Sequence, residues 1–154
     1  MSDRKLLFLF LLGLLPATTA QATNVYNVSD YSSPQAAINA AGAAGGGLVH
    51  FPCGATTLTA GLVVSSPGVT LEGCGVNGTV LWASFATGDV ISFHNSTAFT
   101  PCGGARSLTI VPAVNRTSGY AISIAGCGNG ILENLARPTD DALILVARYE
   151  GERS

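Results

Sequence analysis

Short apolar runs alternate with glycine-rich corners through most of this chain. They are Leu48–Phe51, Val69–Leu71, Val80–Trp82, Val90–Phe93, Leu108–Val111, Ala121–Ile124 and Ile131–Leu135. Several alternate with period two, as in Val69/Leu71, Ile91/Phe93, Leu108/Ile110 and Ile122/Ile124, which predicts strands buried on one face. One segment has a different rhythm. SPQAAINAAGAAGGG places Ser33 as N-cap, Pro34 at the first helical position and a small apolar face of Ala36, Ala37, Ile38, Ala40 and Ala41. It predicts a short helix over about residues 33–44, stopped by Gly45–Gly47. Before it, NVYNVSDYS reads as an extended lead-in.

The strands repeat. Leu108 matches Leu132 and Ile91 matches Ile122, an interval of about 20 to 30 residues that marks a solenoid. The Ile91–Ile122 interval contains Asn95–Gly104, which reads as an inserted loop. An antiparallel sandwich also uses short strands with glycine turns and is the rival architecture. Against it, no Asn-Gly or Asp-Gly sits as a two-residue hairpin between matched strands, although Asn77-Gly78 lies close to one strand end. The opening helix would also have no role in a sandwich.

The first twenty residues stand apart. Arg4 and Lys5, the apolar run Leu6–Leu15, Pro16 and the small residues Thr18-Thr19-Ala20 form a secretory signal peptide over 1–20. Cleavage is expected after Ala20, with Ala22 the second choice, and the run is too short to span a bilayer. The expected location is secreted and extracellular, or periplasmic in a bacterium. No membrane association is expected after cleavage. The four cysteines then sit in an oxidising compartment, where they admit three disulfide connectivities. A metal site is disfavoured because there is no C-x-x-C and the chain has only 2 histidines.

Net charge is −2 and only 10% of residues are charged, so nothing draws the chain to nucleic acid. Residues 137–154 are the exception, with Arg137, Asp140, Asp141, Arg148, Glu150, Glu152 and Arg153 crowded together. This charged tail is expected to be a cap, a truncation point or the product of a reading-frame error. Truncation is the favoured expectation, because about four or five coils are few and the final coil needs a cover; if the tail does not cover it, self-association through the open C-terminal coil is expected. Sequons occur at Asn27, Asn77, Asn95 and Asn115.

From Ser33 to Gly75, a short helix, a triple glycine, LVHFPCG with its Pro-x-Gly close and VTLEGCG with its Gly-x-Gly close follow in order. This order resembles the N-terminal portion of the pectate-lyase-like superfamily, whose members include polysaccharide lyases, polygalacturonase-type hydrolases and phage tailspikes. The resemblance covers roughly residues 25–136 and implies an all-β, right-handed parallel β-helix solenoid of few coils over 21–136. In that family the N-terminal helix caps the open end of the coil. The resemblance also selects one connectivity, Cys53–Cys74 and Cys102–Cys127, because positions one coil apart stack within disulfide reach. Each bond would contribute about 3 kcal/mol in the chain-entropy model.

The resemblance further implies a polysaccharide partner, with the chain as the N-terminal part of a lyase or glycoside hydrolase scaffold. A non-catalytic β-helix for surface attachment or carbohydrate binding is the alternative. Little or no catalysis is expected of this chain alone, and its catalytic residues remain unknown. Lyase chemistry needs clustered carboxylates and a base, and hydrolysis needs two or three carboxylates in one cleft. Between Ser33 and Ala136 the acids are only Glu72, Asp89 and Glu133. Glu72 and Glu133 follow inward leucines, so they are expected to point to solvent.

Arg106 and Arg116 read as turn residues that keep loops soluble. Asp140-Asp141 in TDDALIL is similar to the polygalacturonase Asp-Asp pair. The family's Asn-Thr-Asp, Gly-His-Gly and Arg-x-Lys elements are absent, and a helix N-cap is the preferred role. His50 and His94 read as structural strand residues. Asn95 and Asn134 are expected to turn inward and stack at a corner. Trp82, Tyr120 and Tyr149 are too few to define a sugar platform. No cofactor is expected. Secretion from a eukaryotic host should yield a chain starting at Gln21 with two disulfides; intact-mass measurement before and after reduction checks both.

Overall fold

The computed structural model describes residues 24–94, 102–127 and 130–136. The strands are β1 (Val25–Asn27), β2 (Gly47–His50), β3 (Gly54–Leu58), β4 (Leu62–Val64) and β5 (Val69–Glu72). They continue with β6 (Thr79–Ala83), β7 (Ile91–His94), β8 (Gly104–Pro112), β9 (Ile122–Ala125) and β10 (Ile131–Ala136). One helix, α1 (Pro34–Ala43), lies between β1 and β2. The expected signal peptide, Asn95, most of the expected inserted loop and the charged tail with Asp140-Asp141 and Tyr149 lie outside the described residues.

Every strand pairing among the described residues is parallel. The antiparallel sandwich is therefore excluded. A seven-stranded sheet and a three-stranded sheet result. Three ladders can be followed through them. The first stacks β1, β2, β5, the start of β8 and β10; the second stacks β3, β6 and the end of β8; the third stacks β4, β7 and β9. The chain visits the first, second and third ladder in turn and then returns to the first. A parallel pair needs a crossover between its strands, and here the other two ladders supply it.

The period-two alternation fills the interior. Tyr26, Val49, Leu71, Ala105 and Leu132 stack inward in the first ladder. Leu62, Ile91 and Ile122, then Val64, Phe93 and Ile124, do so in the third. Leu71, Leu81, Ile91, Phe93 and Leu108 are completely buried.

One register differs from the sequence expectation. Ile91 does stack on Ile122, but Leu132 stacks on Ala105 while Leu108 stacks on Leu135. The apolar run Leu108–Val111 is only the second half of β8. Its first half, Gly104–Ser107, has residues with low strand propensity and looked like loop. The segment of β3, GATTL, is similar in having little apolar character, and β4, LVV, is only three residues long.

The helix begins as its sequence dictates, with Ser33 Oγ accepting from the Ala36 N–H at 3.2 Å and Pro34 next to the cap. It buries Ala37, Ile38 and Ala41. At its C-terminus the Gly46 N–H donates back to the Ala41 carbonyl at 2.9 Å. Its amide side chain Gln35 meets the edge of β4, accepting from the Val63 N–H at 2.9 Å and donating to the Val63 carbonyl at 2.8 Å. One glutamine thereby replaces the next strand on that edge.

The corner between the first and second ladders is turned by Ser107 (φ 56) and Asn134 (φ 49), which lie one above the other. Asn134 is exposed, which corrects the expectation that it turns inward; its backbone, in a conformation asparagine tolerates, makes the corner. Just before β8, Gly103 has φ 83, and a Cβ there would strike the Val69 carbonyl, so only glycine fits.

The cysteines pair at disulfide distance as the resemblance implied, Cys53 with Cys74 and Cys102 with Cys127, with Cα separations of 5.4 and 5.5 Å. No helix among the described residues is long and apolar enough to cross a membrane. Replacing Leu71 by Ala should cost about 3 kcal/mol, whereas Thr70→Ala on the outward side should stay within about 0.5 kcal/mol. Urea denaturation of both variants tests the register, and equal losses would contradict it.

Candidate functional site

Ionisable groups that are scattered in sequence share one row of the first ladder. Asn27 pairs with His50, His50 with Glu72, Glu72 with Arg106 and Arg106 with Glu133. Each follows an inward residue (Tyr26, Val49, Leu71, Ala105 or Leu132), so each takes the opposite, outward side of its strand. Successive members are about 4.8 Å apart at the backbone. This places Glu72 and Glu133 outward, as expected. It also corrects one assignment, since Arg106 is a strand residue rather than a turn residue; His50 is a strand residue as expected, and it faces a carboxylate.

Within the row, Arg106 Nε donates to Glu72 Oε1 at 2.8 Å, and His50 Nδ1 lies 3.7 Å from Glu72 Oε2. The His50, Glu72 and Arg106 side chains are 35%, 25% and 41% exposed. Water screens a pair this open, so it adds little to stability. Its polar atoms remain within reach of a ligand.

A second stripe runs beside the row, two residues back along each strand and about 7 Å away. It comprises Val25, Leu48, Thr70, Gly104 and Ile131. Val25 and Ile131 are 55% and 60% exposed, unusual for large aliphatic residues. Gly104 interrupts the stripe because a Cβ there would meet the Ile131 carbonyl. The outer face of the first ladder therefore sets a line of donors and acceptors beside a largely apolar strip, with a gap at Gly104 before its last member.

The other polar residues do structural work. Arg116 does more than keep a loop soluble. Its Nη1 donates to the Phe85 carbonyl at 2.9 Å, and its Nη2 donates to the carbonyls of Gly88 and Ser118. Its guanidinium sits 4.9 Å over the Phe85 ring. Asp89 accepts from the Tyr120 N–H at 2.8 Å and from Ser123 Oγ at 2.5 Å. These contacts satisfy backbone groups in the turns between laps.

Thr79 is buried at the corner beside the Cys53–Cys74 pair. It accepts from the Cys74 N–H at 2.9 Å and donates to the Pro52 carbonyl at 3.0 Å. Trp82 is outward on the second ladder between Thr57 and Val111, and Tyr120 lies in a turn before β9, so the two do not share a face. His94 is exposed at the end of β7 opposite Ala125. Of the sequons, Asn27, Asn77 and Asn115 are exposed, and Asn27 stands at the head of the ionisable row. Among the described residues no three His, Cys, Asp or Glu side chains converge as a metal site.

No family model matches the chain, and no curated protein matches it. Two solved structures are similar. Geobacillus virus E2 ORF18 aligns with a TM-score of 0.61 and 21% identity over 72% of this chain and 25% of its own. The A-module of the mannuronan C-5 epimerase AlgE4 from Azotobacter vinelandii aligns with a TM-score of 0.49 and 24% identity over 74% of this chain and 42% of its own. The chain thus spans about a quarter of the first structure and under half of the second. The likeness to ORF18 shows a shared fold over the aligned stretch and nothing about activity.

The two arginines should separate in stability. Arg116→Ala strands three carbonyls and should cost about 2 kcal/mol, while Arg106→Ala should cost no more than about 1 kcal/mol. Thermal and urea denaturation of the two variants read this difference directly.

Proposed function

We propose that this chain is the N-terminal part of a secreted, right-handed parallel β-helix protein of the pectate-lyase-like type, and that it binds polysaccharide on the outward face of its first ladder. The observation that carries this reading is the in-register row His50–Glu72–Arg106–Glu133 beside the stripe of Val25, Leu48, Thr70 and Ile131. A pyranose ring has apolar C–H faces and a polar hydroxyl rim, and a surface that recognises it combines apolar contact with a few fixed polar groups. A long linear glycan would run along the ladder and meet the same pair of environments on successive strands.

Three parallel ladders visited in rotation support the β-helix reading, and two cysteine pairs at disulfide distance support export. Polysaccharide as the partner follows from the chemistry of this face and from the resemblance noted in the sequence.

The arrangement favours binding over cleavage. Glu72 is engaged by Arg106, and Glu133 lies on the far side of the Arg106 strand. The Arg106 strand stands between the row's two carboxylates and its guanidinium holds Glu72, which works against their acting together on one glycosidic bond as hydrolysis requires. The described laps act as a scaffold with a binding surface and little or no catalysis of their own.

Affinity electrophoresis of the secreted full chain through gels containing different polysaccharides tests the proposal. At least one glycan should retard the protein, and Arg106→Ala/Glu133→Ala should weaken that retardation about fivefold, roughly 1 kcal/mol. A chain that migrates freely through every glycan would overturn the proposal.

A further inference from the structure

The charges on the binding face select among glycans. The chain contains a single lysine, Lys5, within the signal-peptide segment. Among the described residues the cations other than histidine are Arg106 and Arg116, set against Asp30, Glu72, Asp89 and Glu133. Both guanidiniums already have partners within the chain. Arg116 is turned onto the carbonyls of Phe85, Gly88 and Ser118 and stacked on Phe85. Arg106 is bonded to Glu72, with Glu133 in register on its other side.

A carboxylate brought to this row would meet two fixed carboxylates and one guanidinium that already has an anion. Like charges at neighbouring strand positions repel. A sugar hydroxyl meets no such conflict, since it donates to Glu72 or Glu133 and accepts from the remaining N–H groups of Arg106 or from His50.

From this we infer that the row His50–Glu72–Arg106–Glu133 takes an uncharged, hydroxyl-bearing glycan and discriminates against polyuronates. The Glu72–Arg106 pair then serves as the specificity element, because Glu72 neutralises the one cation a uronate would need. Arg106 keeps its donors aimed outward for hydroxyl recognition, held by Glu72. The inference rests on the carbohydrate-binding proposal above and narrows it to a ligand class.

The test uses the secreted full chain and two probes, neutral galactomannan and polygalacturonate, in affinity electrophoresis at low and at moderate salt. Galactomannan should retard the protein at least about tenfold more strongly than polygalacturonate. That retardation should change less than about twofold with salt, since no net charge pairing is involved. Glu72→Gln/Glu133→Gln removes both repelling carboxylates and frees Arg106, so polygalacturonate affinity should rise about three- to tenfold. A circular-dichroism melt confirms that the variant is folded.

Stronger binding of the wild-type chain to polygalacturonate, weakening with salt, would overturn the inference and leave the carbohydrate reading standing. A folded double variant with no gain toward polygalacturonate would overturn it too. Binding to neither probe, nor to any other glycan, would overturn the carbohydrate reading and the inference together.

Discussion

Parallel in-register stacking of the first ladder governs both the interior of this protein and its outer face. Tyr26, Val49, Leu71, Ala105 and Leu132 stack on one side of the strands, and the residue after each emerges on the other side. A slip of one residue in β2, β5 or β10 would expose a valine or leucine and turn an ionisable side chain inward. The core therefore holds the ionisable row in place, although the row adds almost nothing to the core's stability. Ala105 between Leu71 and Leu132 brings a small side chain to the level where Arg106 enters the row, and the turn at Ser107 then carries the same strand into the second ladder.

A stack of parallel strands has problems that a closed sheet lacks, and this chain meets them with very few polar residues. The edge of β4 is covered by the side chain of Gln35, whose amide mimics the geometry of a neighbouring peptide. The turns between laps leave carbonyls without strand partners, and Arg116 collects three of them. Asp89 does the complementary job for donors at Tyr120 and Ser123. The two cysteine pairs each join one lap to the next, the first exposed at a corner and the second buried.

This sparing use of charge has a functional consequence. Among the described residues Glu72, Asp89, Arg106 and Arg116 are each bonded within the chain, which leaves little free positive charge there to attract a polyanion by long-range electrostatics. The first ladder presents hydrogen-bonding groups of both kinds beside exposed aliphatic carbon, which on the proposed reading would act by short-range recognition. An uncharged glycan suits such a surface, and its affinity would come from shape and repetition more than from charge. Parallel stacking repeats the same geometry at each strand, which suits a polymer better than a small molecule.

The strand periodicity of Val69/Leu71, Ile91/Phe93 and Ile122/Ile124 and the helix start at Ser33-Pro34 were legible because they depend on neighbours within a few residues. The sequence by itself determined which residues face inward and where the chain must turn. It could not determine which strand lies on which, since Gly104–Ser107 has too little apolar character to reveal itself as a strand and Leu132 matches Leu108 as well as Ala105 by pattern. Only the tertiary structure decided that His50, Glu72, Arg106 and Glu133 are neighbours. Their proximity comes from ladder register, and the lengths of the intervening turns that set that register are not encoded near any of the four.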